Sequence, residues 1–152
     1  MDRTDILDHI KGARHAHQKW VESARSIVGG MKVEKNDIPV KHTECNFGRW
    51  FYSDGVKLAQ LDKLNYIEQI DKKHQELHEE YRKIYNIYFA HDDRSFFGKL
   101  FNTKPTIFYS DEQLAKRSFQ NLQEISNDLL NLLEFLEKHI ALLPRAALDA
   151  IN

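Results

Sequence analysis

One cysteine in 152 residues is too few for an internal disulfide. Cys45 can therefore matter only as a thiol or thiolate: a metal ligand, a redox group or a nucleophile. Proline and glycine are not in excess, at three and six residues, and no low-complexity segment or internal repeat is present. With 41% apolar residues, this excludes a disordered or fibrous chain and predicts one globular domain, residues 1–152, with enough length for a core. Charge of one sign is also missing. The 22 basic and 23 acidic residues are interleaved, so no footprint for nucleic acid or an anionic membrane is present. No apolar run approaches the roughly 20 residues of a membrane span. Met1-Asp2-Arg3-Thr4-Asp5 is charged and unlike a secretory signal. The expected compartment is therefore cytoplasmic and reducing, with no membrane insertion, and Cys45 stays reduced there unless something oxidises it.

What the chain does contain is helical periodicity. Ile6, Ile10, Ala13, His17, Trp20, Ala24 and Ile27 recur by steps of four and three after the candidate caps Thr4 and Asp5, and Gly29-Gly30 supplies a stop. Leu64, Ile67, Ile70, His74, Leu77, Tyr81, Ile84 and Tyr88 form a second such stripe, with Asp62 or Asn65 near its start and His91-Asp92-Asp93 at its end. Ser110-Asp111-Glu112-Gln113 reads as the capped start of a third, carried by Leu114, Leu122, Ile125, Leu129, Leu132, Leu136 and Ile140 up to Pro144.

Between the first two lies a polar connection with a helical turn ahead of Pro39. A short helix over Phe47, Trp50 and Phe51 follows, stopped by Ser53-Asp54-Gly55. The aromatic run Phe96–Phe101 reads as loop anchors. The fold expected is all-α: an antiparallel helical bundle of three long helices plus the short helix that carries Cys45 at its N-terminus, where the helix dipole favours a thiolate.

Two stripes place a histidine where leucine belongs. His17 and His74 occupy core positions, and His78 lies one turn beyond His74 on nearly the same face. A buried imidazole costs on the order of 1–3 kcal/mol per unsatisfied nitrogen, so three that converge need a shared partner. Zinc takes neutral imidazole and thiolate in a tetrahedron, and histidines at i and i+4 bind it from one helix face. His17, Cys45, His74 and His78 are the candidate metal ligands, and Zn²⁺ is the expected cofactor. Calcium and magnesium want oxygen donors, whereas copper also accepts this donor set.

Of the remaining groups, His42 is close enough to Cys45 to be a substitute ligand, though a loop histidine is usually solvated. His9, His15, His91 and His139 are expected at surfaces or helix ends. Asp71 is a candidate acceptor for a ligand imidazole. Trp20, Phe47 and Trp50 are expected to pack.

His17-Gln18-Lys19-Trp20, Cys45-Asn46-Phe47-Gly48-Arg49-Trp50 and His74-Gln75-Glu76-Leu77-His78 together resemble the His, Cys-x-Phe-Gly-x-Trp and His-x-x-x-His signature of the chemoreceptor zinc-binding (CZB) domain family. The resemblance runs from about Asp5 to His91 and covers all four ligand positions. It implies a bacterial cytoplasmic sensor bundle with a three-His, one-Cys zinc site. It also implies a homodimer, with a chemoreceptor or diguanylate cyclase as signalling partner. In that family zinc occupancy, or oxidation of the cysteine by hypochlorous acid, alters the attached output. No cyclase, methylation helix or membrane segment follows Pro144, so a stand-alone form is expected.

The competing reading is a metal-dependent enzyme similar to the DinB-like hydrolases and thiol transferases. There His17, His74 and His78 would leave a coordination position open and Cys45 would be nucleophile or spectator. A di-iron carboxylate bundle ranks third, because paired Glu-x-x-His elements are missing. Four protein ligands would close the site, and the expectation is therefore no enzyme.

Overall fold

A computed structural model describes residues 2–31, 41–61, 65–90 and 107–151. The turn expected ahead of Pro39, the caps and core positions at 62 and 64, His91-Asp92-Asp93 and the aromatic run 96–101 lie outside the described residues. Among those described, the chain is all-α. The helices are α1 (Arg3–Val28), α2 (Asn46–Ser53), α3 (Tyr66–Tyr85), α4 (Tyr109–Leu142) and α5 (Arg145–Asp149). A 3-10 segment, Gly55–Gln60, follows α2, and a π-helical turn, Asn86–Ala90, continues α3.

The ends of α1 show how sequence sets length. Its N-cap is Asp2, before the expected Thr4 or Asp5, and Asp5 falls in the first turn, where a carboxylate complements the dipole. At the other end Gly30 adopts φ 76°. That left-handed residue lets Met31 N–H donate to Ser26 O at 2.9 Å and Gly30 N–H to Ile27 O at 3.0 Å, which closes the helix on its own carbonyls. Asn65, φ 56°, precedes α3 without a side-chain cap. α4 starts after Phe108 rather than at Ser110, so Asp111 and Glu112 sit within its first turn.

Cross-helix contacts give the directions. Arg3 Nη2 donates to Leu143 O, Arg14 pairs with Glu137 at 2.8 Å, and Arg25 stacks over the Phe119 ring at 5.4 Å. Numbers rise along α1 as they fall along α4, so the two are antiparallel. Tyr66 stacks on Phe135 at 6.1 Å and Lys73 pairs with Asp128 at 2.9 Å, so α3 also runs against α4. α1 and α3 are thus parallel to each other. Each packs along α4, and they approach one another only sparsely.

The core runs the length of this arrangement: Ile6, Ile10 and Ile27 of α1, Ile70, Leu77 and Ile84 of α3, and Leu122, Leu129, Leu133, Leu136 and Ile140 of α4 are buried. Each such side chain stabilises by about 1.5–3 kcal/mol. The half-exposed Arg14–Glu137 pair adds about 0.2–1 kcal/mol.

The α4 face differs from the expected stripe. Its buried positions are Ala115, Ser118, Leu122, Ser126, Leu129, Leu133, Leu136 and Ile140. Leu114 is 46% exposed, and Ile125 and Leu132 are only partly buried flanks. The seam is therefore not purely aliphatic: small residues lie along it, and the leucines beside them point partly outward. After Pro144 the chain resumes as α5, which buries Leu148 against the core.

Candidate metal centre

His17, at a core position of α1, is buried, and its Nδ1 lies 2.7 Å from Ala13 O. A carbonyl can only accept, so Nδ1 carries the proton and Nε2 keeps its lone pair. One helical turn has thereby fixed the tautomer in which Nε2 can bind a cation. His74 and His78, one turn apart on α3, are also buried, with ring centroids 4.7 Å apart. His17 faces both, at 5.2 Å from His74 and 6.5 Å from His78.

Cys45 arrives on the cap of α2. Its Sγ accepts from Gly48 N–H at 3.1 Å and donates to His42 O at 3.4 Å. The sulfur stands 3.3 Å from His74 Nε2. Phe47, Trp50 and Phe51 bury the inner face of this eight-residue helix and hold it against α1 and α3.

Gly48 makes the approach possible. A Cβ there would lie 1.8 Å from His42 O and 3.2 Å from Thr43 Cα. Only glycine lets the backbone at 42–43 pass so close to the helix, and that passage puts His42 O within reach of the cysteine.

One ligand atom from each of His17, Cys45, His74 and His78 forms a group in which all lie within 4.8 Å of one another, and all four residues are buried. Burial drops His17 to about 4, against the opposing hydrogen bond to Ala13. Burial drops His74 to about 2, helped by neighbouring His17, His78 and His42. These two imidazoles are therefore neutral at physiological pH and present lone pairs. Cys45 behaves otherwise than its cap position suggested. Burial pushes the thiol up, outweighing the Gly48 and Phe47 N–H groups and the Arg49 charge. In the protein without metal it is a thiol.

The aromatics pack, and what they pack against is the site. Trp20 sits edge-on to His78 at 4.4 Å and to His17 at 5.6 Å, and Phe47 approaches His74 at 5.0 Å. Trp50 stacks on His9 at 4.8 Å, pinning α2 to α1. Asp71 accepts from the Tyr52 hydroxyl at 2.5 Å and from Gln75 at 2.9 Å, so it meets a tyrosine of α2 where a ligand imidazole was expected. His42 is half-buried and turns inward, 5.5 Å from Tyr52. His15 is exposed, as expected, and His139 is partly buried near the end of α4.

The donor set fits a cation of the zinc type. A tetrahedral ion with Zn–N of about 2.0–2.1 Å and Zn–S of about 2.3 Å separates its ligand atoms by roughly 3.3–3.6 Å. The Cys45 Sγ to His74 Nε2 separation is already 3.3 Å. Among the described residues His74 Nδ1 is buried with no hydrogen-bond partner.

Residues 17–85 match the family model described as the chemoreceptor zinc-binding domain, CZB. That match supports the resemblance to the CZB family over this segment. The match begins at the α1 histidine and ends with α3, so it encloses all four clustered residues. No curated protein and no solved structure matches the chain. The CZB segment comprises α1 from His17, α2 and α3; α4 lies outside the matched residues. No described helix is long and apolar enough to cross a membrane.

Proposed function

We propose that this protein is a zinc-binding sensory domain and not an enzyme. Its ligands are His17 Nε2, Cys45 Sγ and one ring nitrogen each of His74 and His78. The observation that carries the reading is the buried four-residue group whose ligand atoms lie within 4.8 Å of one another. Zinc, the family's ligand, would act there as a structural cation and hold α1, α2 and α3 at one point. With four protein ligands, no position is left for substrate or an activated water.

Two inputs fit this chemistry. Low zinc would leave the buried imidazoles and thiol without their shared partner and loosen α1 from α3. Hypochlorous acid would oxidise the Cys45 thiolate to the sulfenic acid with release of chloride, a two-electron step that takes the sulfur out of the ligand set. Either converts ligand chemistry into helix movement. The match to the CZB family model supports the remaining features of the proposal: a cytoplasmic setting, a homodimer, and output to a chemoreceptor or a diguanylate cyclase. The DinB-like reading draws less support, because Cys45 Sγ lies at 3.3 Å from His74 Nε2, inside the ligand group rather than apart from it.

Metal analysis of protein purified without chelator tests the proposal, with about one zinc per chain and a sulfur scatterer at about 2.3 Å expected in X-ray absorption. Absence of a tight zinc site refutes it. Zinc ligated by light atoms alone, with a water, favours the enzyme reading. The oxidant input fails if zinc-bound Cys45 reacts with hypochlorous acid no faster than a free thiol.

A further inference from the structure

The sequence from His42 to Cys45 puts a fourth histidine on the loop that delivers the sulfur. Its ring is turned toward the site. The centroid lies 6.1 Å from His74 and 6.2 Å from His78, as near to the α3 pair as His17, which stands at 5.2 and 6.5 Å. Two imidazoles that share a tetrahedral zinc through one nitrogen each have centroids roughly 5 Å apart. His42 is therefore about an ångström from a ligating position. Yet it stands outside the four-residue group.

Its surroundings suit a ring that can move inward. His42 is half-buried, whereas the four clustered residues are buried. Tyr52 of α2 stacks edge-on against it at 5.5 Å, and the Tyr52 hydroxyl is anchored on Asp71 of α3. The position next to the α3 pair is thus held from the wall. His42 O also accepts from Cys45 Sγ. Loss of that thiol frees the backbone carrying the imidazole at the moment a ligand position opens.

We propose that His42 is a reserve metal ligand that takes the fourth position when the Cys45 sulfur leaves. This rests on the zinc reading above and specifies its regulation. Sulfur loss becomes a change from three-His, one-Cys to four-His ligation. Zinc is retained, and the signal is the displacement of α2 from its cap rather than release of the metal.

The test compares wild type, His42→Ala, Cys45→Ala and the double variant by zinc competition against a chromophoric chelator, with X-ray absorption of each zinc-loaded protein. His42→Ala alone should leave zinc affinity within about threefold and the sulfur shell intact. Cys45→Ala should keep one zinc with nitrogen and oxygen neighbours only. The double variant should lose at least about tenfold more affinity than Cys45→Ala, in the range by which groups supporting a metal site act. Because Cys45 caps α2, Cys45→Ser with and without His42→Ala repeats the comparison with a capping oxygen present, and circular dichroism checks that each variant is helical. Equal affinities of the single and double variants in both series overturn the reserve role and leave four-ligand binding intact. A wild type without zinc overturns both.

Discussion

Replacing Gly48 by alanine sets two physical effects of opposite sign against each other. Gly48 is inside α2, and its φ is not positive. Helix propensity alone therefore predicts that Gly48→Ala stabilises the protein by about 1 kcal/mol. The structure predicts the reverse. The new Cβ would lie 1.8 Å from His42 O and 2.9 Å from His42 C, both backbone atoms that no rotamer change can remove. To reach ordinary contact the helix and loop must separate by roughly 1.5 Å.

The helix is the stiffer side, because Phe47, Trp50 and Phe51 are buried in the core. The loop gives way, and with it the carbonyl that accepts from Cys45 Sγ. Overpacking of this kind costs about 3 kcal/mol, the upper end of its range. After the propensity gain the net loss should be about 2 kcal/mol. Denaturant unfolding of the zinc-free protein measures it directly. Zinc affinity should fall by about 10–100-fold, because the fourth ligand is displaced rather than deleted. Unchanged or increased stability with unchanged affinity would refute the idea that the 42–43 backbone is what requires glycine here.

Other substitutions test the fold and the site separately. Leu133→Ala should cost about 3 kcal/mol and Leu132→Ala about 1 kcal/mol, because Leu133 is fully buried and Leu132 only partly; denaturant midpoints that reverse the order would refute the observed face of α4. Tyr52→Phe removes the hydroxyl that Asp71 accepts. It should cost about 1 kcal/mol in a partly solvated setting with little change in zinc affinity, and a large affinity loss would show that Tyr52 acts on the site directly. Zinc titration by calorimetry at pH 7 in buffers of different ionisation enthalpy should release about one proton per ion. The proton comes from Cys45, whose thiol is pushed up by burial, while His17 and His74 are pulled down and already neutral. Zinc affinity accordingly rises with pH below the thiol's range, and release near zero would contradict a protonated Cys45.

Much of this was legible in residue spacing. Ile6, Ile10, Ala13 and Ile27 mark a buried stripe that any 3.6-residue period finds, and His17 and His74 stand out because they interrupt such stripes. In α4 the buried face falls one position from the expected stripe in places, because the pattern follows large apolar side chains. Ala115, Ser118 and Ser126 form the seam where small residues pack, and their leucine and isoleucine neighbours are flanks. Glu80, also buried, was missed for the same reason: its carboxylate accepts from Lys83 at 2.7 Å, a local partner that a hydropathy pattern does not register.

What sequence could not supply were contacts between segments. The clash that requires Gly48 involves a loop crossing six residues earlier. Asp71 and Tyr52 meet across α2 and α3, and nothing in the spacing of either points to the other. The cap position of Cys45 predicted a thiolate, but burial depends on how Phe47 and the two long helices close over it, and burial dominates.

On the sensory reading proposed above, the arrangement of helices gives the site its mechanical leverage. α1 and α3 are each secured along α4, but directly to one another only sparsely. The gap is bridged at one level by His17 on one side, His74 and His78 on the other, and Cys45 from α2. On the zinc reading, the ion is therefore a cross-link where packing is weakest, so its chemistry controls the spacing of α1 and α3 more than it controls whether the bundle folds. The four ligands are not mechanically equal. Three stand on helices of 20 residues or more, held by long apolar seams, while the sulfur stands on the cap of an eight-residue helix. A force that arises at the ligands is relieved first at the least anchored element. The 42–45 loop and α2 should move before α1 or α3 does, and the stacked pair Trp50–His9 is where that movement reaches α1.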